Sequence, residues 1–109
     1  MTFSDYQKAA LKTALYPDQG KNLYYPTLGL TGEAGEVANK VKKVMRDSGG
    51  HVSAEVRAQL SQELGDVLWY VSGVANELGL NLDEIADANI EKLASRAQRK
   101  VLGRSGDKR

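Results

Sequence analysis

Several residue types are scarce or missing in this sequence, and each absence narrows what the protein can be. There is no cysteine, which excludes disulfides and metal sites built on thiolates. No apolar run approaches the roughly 18 residues that suggest a membrane helix. The N-terminal stretch "MTFSDYQKAALKTALYPDQG" also lacks the apolar centre of a secretory signal. We therefore expect a cytoplasmic protein without a membrane partner.

An excess of one charge sign is missing as well. The chain has 15 basic and 14 acidic residues and a formal net charge of +1. Such a balance gives no overall field that would attract a nucleic-acid polymer. A length of 109 residues is typical of one domain. We expect this domain to span residues 1–102, followed by a flexible C-terminal tail at 103–109.

Clear start and stop signals for helices are present. Ser4 and Gln7 have the spacing of a capping box, while Ser53 and Asn81 are suitable N-caps for later helices, with Glu84 at the third helical position after Asn81. The prolines and glycine of "YPDQGKNLYYP" indicate an irregular connection before the second helix. The predicted helices run from about Asp5 to Leu15, from Thr27 to Asp47, from Ser53 to Gly79 and from Asn81 to Val101.

Apolar residues recur at helical spacing and predict one buried stripe on each of the three longer helices. The stripes comprise Leu30, Ala34, Val37, Val41 and Val44; Val56, Leu60, Leu64, Val67, Val71, Val74 and Leu78; and Ala86, Ile90, Leu93, Ala97 and Val101. No alternating β-pattern is present. The sequence therefore predicts an all-α fold, a four-helix bundle-like domain with an antiparallel central hairpin.

Two acidic pairs stand at matching positions on the two helices of this hairpin. Glu33 and Glu36 precede the turn at Gly49 and Gly50, and Glu63 and Asp66 follow it, at equal distances along the chain. Residues equidistant from the turn lie level in an antiparallel hairpin, so the four carboxylates should converge. Like charges that converge repel each other unless a cation lies between them.

Either pair alone would ordinarily be read as a solvated helix face, with Glu36 paired to Lys40 one turn away. Both pairs at one level favour a metal site instead. Ligands that are all oxygen suit Mg²⁺, with Mn²⁺ as the alternative. The only histidine, His51, lies in the turn, which argues against a di-iron site. Mg²⁺ bound by carboxylates keeps positions for phosphate oxygens, so a phosphorylated partner is expected.

The segments "GEAGEVANKVKK" and "QELGDVLWYV" resemble the MazG-like nucleoside triphosphate pyrophosphohydrolases of the all-α NTP pyrophosphatase superfamily. The likeness continues into "NLDEIADANIEKLASR" and covers about residues 27–100. Many family members carry another glutamate directly before the first metal-binding one, and this chain has Gly32 there. That departure leaves the four metal positions intact but makes transfer of a substrate preference unsafe.

The resemblance implies Mg²⁺-dependent cleavage between the α- and β-phosphates, which yields a nucleoside monophosphate and pyrophosphate. It implies four metal ligands at Glu33, Glu36, Glu63 and Asp66; the alternative is that Glu36 or Glu63 is instead the catalytic residue that orients the attacking water. Candidate substrate-binding residues on the same flank of the helices are Lys40, Lys43, Tyr70, Asn89, Lys92 and Arg96. Each cation among them could equally be an ordinary solvated side chain.

Two further expectations concern assembly and alternatives. The family typically forms dimers or tetramers, and "WYVSGVA" is apolar on more than one face, so we expect a homodimer or homotetramer. The alternatives are a relative with a narrower substrate, such as phosphoribosyl-ATP or a deoxynucleotide, and a helical interaction module without enzymatic activity.

Overall fold

Four helices form the protein in the computed structural model, which describes residues 1–99. They are α1 (Phe3–Leu11), α2 (Tyr24–Ser48), α3 (Ala54–Glu77) and α4 (Leu82–Gln98). The described residues contain no strand, so the predicted all-α fold is confirmed. The predicted helix end near Val101 and the predicted tail at 103–109 lie outside the described residues.

The first helix begins earlier and ends earlier than predicted. Its capping box is formed by Thr2 and Asp5, each side chain accepting from the backbone N–H of the other, rather than by Ser4 and Gln7. The prediction was wrong because Gln7 is buried and bonds to residues far along the chain. The helix ends at Leu11, not at Leu15.

The second helix begins at Tyr24, three residues before the predicted start, and includes Pro26 in its first turn. A proline is tolerated there because the N–H that it lacks would have no partner within the helix. The Asn22 side chain accepts from the backbone N–H of Tyr25. Pro26 is fully buried, and the absence of a side chain at Gly73 leaves room for it against α3.

Helices α2 and α3 form the predicted antiparallel hairpin and make the most extensive contact between helices. Gly49 ends α2 in the left-handed conformation, with φ of 59°, and Gly50 donates back to the carbonyl of Val44. Ser53 caps α3 by accepting from the N–H of Val56. This geometry places level residues of the two helices beside each other.

The side chain of Gln7 joins α1 to the corner between α3 and α4. It donates to the side-chain oxygen of Asn76 and to the carbonyl of Leu80, both at 2.8 Å, and accepts from the N–H of Leu82. The Asn81 side chain caps α4, as predicted, and also donates to the hydroxyl of Ser4. Consequently α1 packs against α3 and α4 packs mainly against α1.

The predicted apolar stripes are only partly covered within one chain. Val44 is buried, but Leu64 is 58% exposed and Ile90 is 65% exposed. Val41 and Leu78 are exposed as well, so all four residues were wrongly predicted as core. Among the described residues α4 makes no extensive contact with α2 or α3 that would cover them. The radius of gyration is 16.6 Å, against roughly 13 Å for a compact domain of this size. One chain therefore leaves apolar surface exposed.

Candidate metal centre and substrate surface

Three of the four predicted metal-binding acids come together on the hairpin. Carboxylate oxygens of Glu33, Glu63 and Asp66 lie within 4.8 Å of one another. Glu33 is supplied by α2 and the other two by α3. Glu33 and Glu63 are half-buried and Asp66 is exposed, so the cluster opens to solvent on one side. Glu36 lies one turn further along α2 and is not part of this close group.

The environment of the cluster raises the pKa of Glu33. Its pKa is raised by partial burial, by a hydrogen bond with the Glu63 side chain, and by the negative charges of Asp66, Glu63 and Glu36. A raised pKa means that the carboxyl holds its proton more strongly than an isolated glutamate. A divalent cation would relieve the same repulsion by replacing that proton.

The residues present fit a hard divalent cation. All three close ligands are carboxylates, and neither histidine nor cysteine belongs to the group. Oxygen-only sites with one open side suit Mg²⁺ and Mn²⁺ rather than softer metals. His51 lies exposed in the turn, as the sequence predicts.

Aromatic rings adjoin the carboxylates on the side away from the turn. Tyr70 follows Asp66 by one helical turn, and its ring centroid lies 6.5 Å from that of Tyr25 and 5.0 Å from that of Trp69. Tyr16 stacks on Tyr25 at 4.7 Å. The pKa of Tyr70 is raised by burial first, and also by Tyr25 and by the charges of Glu33 and Asp66. The ring therefore lies within electrostatic range of the cluster.

The loop before α2 is fastened to the end of α3 by Glu77. Its carboxylate accepts hydrogen bonds from the Tyr16 hydroxyl and from the backbone N–H groups of Gly20 and Asn22. The bond from Tyr16 is the largest cause of the lowered pKa of Glu77, and the backbone bonds lower it further. Sequence reasoning missed Tyr16, Tyr25 and Glu77, although the aromatic residues of "YPDQGKNLYYP" were visible.

Lysines flank the carboxylates on the side towards the turn. Lys40 and Lys43 line a cavity of about 260 Å³, together with Asp47 of α2 and with Val56 and Gln59 of α3. Both lysines are on the helix that supplies Glu33. This cavity therefore belongs to the same hairpin as the acids.

The candidate residues on α4 lie elsewhere. Asn89 lines a mainly apolar cavity of about 230 Å³ with Leu68 and Val71 of α3. Lys92 and Arg96 follow on α4, whose main packing partner is α1. Among residues 1–99, α4 makes no extensive contact with α2, the helix that supplies Glu33.

None of the helices found in residues 1–99 is both long enough and apolar enough to cross a membrane.

Fold and site together define an all-α domain with an acidic, oxygen-only cluster on a helical hairpin that is a candidate cation site. Residues 25–101 match the family model described as the MazG nucleotide pyrophosphohydrolase domain. The chain is also 50% identical over 109 residues to the Gene 37 protein of Mycobacterium phage L5, covering 95% of this chain and 96% of that protein. No solved structure matches the chain. The chain belongs to the MazG nucleotide pyrophosphohydrolase family.

Proposed function

We propose that the protein is a Mg²⁺-dependent nucleoside triphosphate pyrophosphohydrolase that cleaves the α–β phosphoanhydride. The products are a nucleoside monophosphate and pyrophosphate. The observation that carries this proposal is the group formed by Glu33, Glu63 and Asp66, in a chain of this family. Mn²⁺ is the alternative cation.

The carboxylates of Glu33, Glu63 and Asp66 would hold the cation, and Glu36 would complete the set from one turn away. When bound, the cation neutralises charge on the phosphate oxygens and lowers the pKa of a coordinated water. Glu36 and Glu63 are the candidates for orienting the attacking water. Glu63 belongs to the close group of carboxylates, whereas Glu36 is exposed and lies one turn away on α2.

The order of side chains along the hairpin supports one orientation of the substrate. At about 1.5 Å of rise per residue, Tyr70 lies about 6 Å beyond Asp66, and Lys40 lies about 10 Å from Glu33 in the opposite direction. We assign the nucleoside to the aromatic side and the β- and γ-phosphates to Lys40 and Lys43. A scissile α–β bond between these ends would lie beside the carboxylates.

Asn89, Lys92 and Arg96 enter this proposal as further contacts to phosphate or base. Because α4 makes its more extensive contact with α1 and not with the α2–α3 hairpin, we propose that assembly with a second copy completes these contacts. We propose a homodimer or homotetramer in which the exposed apolar residues of the hairpin and α4 are covered. Light scattering coupled to size-exclusion chromatography measures this directly, and a monomer at micromolar concentration would contradict it.

The test of the reaction is a panel of nucleoside and deoxynucleoside triphosphates, with phosphoribosyl-ATP, incubated with Mg²⁺ and assayed separately for pyrophosphate and orthophosphate. Pyrophosphate release is expected, and a single strong substrate would favour the narrower relative. Release of orthophosphate alone, or no turnover of any compound, would refute the proposed reaction.

Variants at the acids test the assignment of the site. Glu63→Gln and Asp66→Asn should reduce turnover at least a hundredfold while the helical circular dichroism stays unchanged. Glu91→Gln on the exposed face of α4 is the matched control and should keep full activity. Titration calorimetry with Mg²⁺ also separates an enzyme from an interaction module, which should not bind the cation at millimolar concentration.

A further inference from the structure

Gly29 stands out among the glycines of the hairpin because the ring of Tyr70 lies directly across it. A Cβ atom on Gly29 would lie 2.1 Å from Cε1 of Tyr70 and 2.5 Å from Cδ1 and Cζ. Those distances are far below van der Waals contact, so any other residue at position 29 would force the ring to move. By contrast, Gly35 of the same helix faces open space within 4 Å.

The ring held at this place adjoins the proposed cation site. Gly29 precedes Glu33 by one helical turn, and Tyr70 follows Asp66 by one turn on the facing helix. Tyr25 and Trp69 flank the ring on other sides. The Tyr70 ring is thus confined by the α2 backbone and by two aromatic neighbours.

A tyrosine held in this way suits the nucleoside half of the substrate better than its phosphates. The ring offers an apolar face and a neutral hydroxyl, which can pack against a base or sugar and donate a hydrogen bond. The ring carries no positive charge that would attract phosphate. Lys40 and Lys43, which do carry one, are on the opposite side of the acids.

We propose that Gly29 is a specificity-determining position, which holds the Tyr70 ring as the wall that contacts the nucleoside of the substrate. This inference rests on the proposed function for the identity of the substrate. The confinement of Tyr70 by Gly29 rests on the geometry alone and can be measured without any turnover.

The first experiment uses Trp69, the only tryptophan of the chain, whose ring meets the Tyr70 ring edge to face. Gly29→Ala should change the intensity or wavelength of tryptophan emission while the helical circular dichroism is retained. Gly35→Ala adds the same methyl group to the same helix and should leave the emission unchanged. Equal emission spectra for the two variants would overturn the role assigned to Gly29.

The second experiment asks which half of the substrate the wall contacts. Gly29→Ala should raise KM for the best nucleoside triphosphate of the panel about tenfold and change kcat less than threefold. Its competitive inhibition by inorganic tripolyphosphate should stay within twofold of wild type, because that ligand has no nucleoside. If inhibition by tripolyphosphate weakens as much as KM for the nucleotide rises, the assignment of the Tyr70 ring to the nucleoside is overturned.

Three further variants keep the result interpretable. If Gly29→Ala fails to fold, the pair Tyr70→Phe and Tyr70→Ala replaces it. Only Tyr70→Ala should raise KM for the nucleotide about tenfold, while inhibition by tripolyphosphate stays unchanged. The double variant Gly29→Ala with Tyr70→Ala should melt no lower than Tyr70→Ala alone, since the clash is gone. A lower melting temperature of the double variant would contradict the contact.

Failure of this inference can be distinguished from failure of the proposed function. If wild-type protein turns over no nucleotide, the proposed reaction fails, and calorimetric binding of the same nucleotides and of tripolyphosphate replaces KM. If Gly29→Ala binds nucleotides more weakly but binds tripolyphosphate as wild type does, the contact between the Tyr70 ring and the nucleoside is still supported. Equal binding of every ligand by wild type and variant would overturn it.

Discussion

Replacing Glu77 by glutamine tests whether the loop before α2 depends on this one carboxylate. One oxygen of Glu77 accepts from the N–H of Asn22 and the other from Gly20 and from the Tyr16 hydroxyl. A glutamine has a single acceptor oxygen, so its best orientation keeps the second pair of bonds. The NH₂ group then faces the N–H of Asn22, and that donor loses its partner.

The magnitude follows from these three bonds. Loss of the Asn22 bond costs about 1 kcal/mol at this partly exposed site, and a neutral acceptor weakens the other two by about 0.5 kcal/mol each. The expected loss in the free energy of unfolding is about 2 kcal/mol. For a domain of this size that lowers the melting temperature by roughly 8 to 16 °C.

Thermal unfolding followed by circular dichroism measures this loss, with Glu91→Gln as the control for an exposed glutamate on a helix. The difference should also depend on pH. Because the folded-state pKa of Glu77 is lowered from 4.5, its contribution is complete above about pH 4.5 and is lost as the pH falls through the lowered value. A melting temperature of Glu77→Gln equal to that of the control would refute the reasoning.

Three further predictions concern the site and the helix junctions. Glu33→Gln should raise the melting temperature without Mg²⁺, since it removes a charge from the cluster, and should abolish the Mg²⁺-dependent rise seen in wild type; an undiminished rise would contradict the assignment of this ligand. Gln7→Ala should lower the free energy of unfolding by about 3 kcal/mol in urea titration, because three hydrogen bonds that are themselves buried or part-buried are lost, and a loss below about 1 kcal/mol would show that water replaces them. Gly35→Ala should raise stability by about 1 kcal/mol, since its Cβ meets open space in a helix interior; destabilisation by this variant would show that another chain covers this face in solution.

The position of the acids could be predicted because it depends on helical periodicity and on one turn. Once α2 and α3 are antiparallel, Glu33 and Asp66 become level regardless of how the rest of the chain packs. The hairpin turn itself was visible in Gly49 and Gly50. The same rule predicted that Glu36 would converge with the other three carboxylates, but Glu36 is exposed and lies outside the close group.

The features that the sequence did not reveal depend on contacts between distant residues. Tyr16 and Glu77 are 61 residues apart, and no local pattern indicates that one fastens the loop to the other. The early start of α2 arises because Pro26 packs into the space left by Gly73. Likewise, the apolar period of Leu64 and Ile90 predicts that these residues are buried, but it does not reveal how the helices pack, and both are exposed.

The hairpin turn has a consequence for handling the protein. Gly49 lies about 20 Å along α2 from Glu36, and Ser53 lies about 15 Å along α3 from Glu63. A short peptide tag or a dye inserted beside His51 would not change how α2 and α3 are rotated against each other, so the carboxylates would stay together. A single residue inserted within α2 between Glu36 and Gly49 would instead rotate one half of the helix by about 100° relative to the other. The turn is therefore the place to attach a surface anchor or fluorophore to this protein without disturbing the carboxylates.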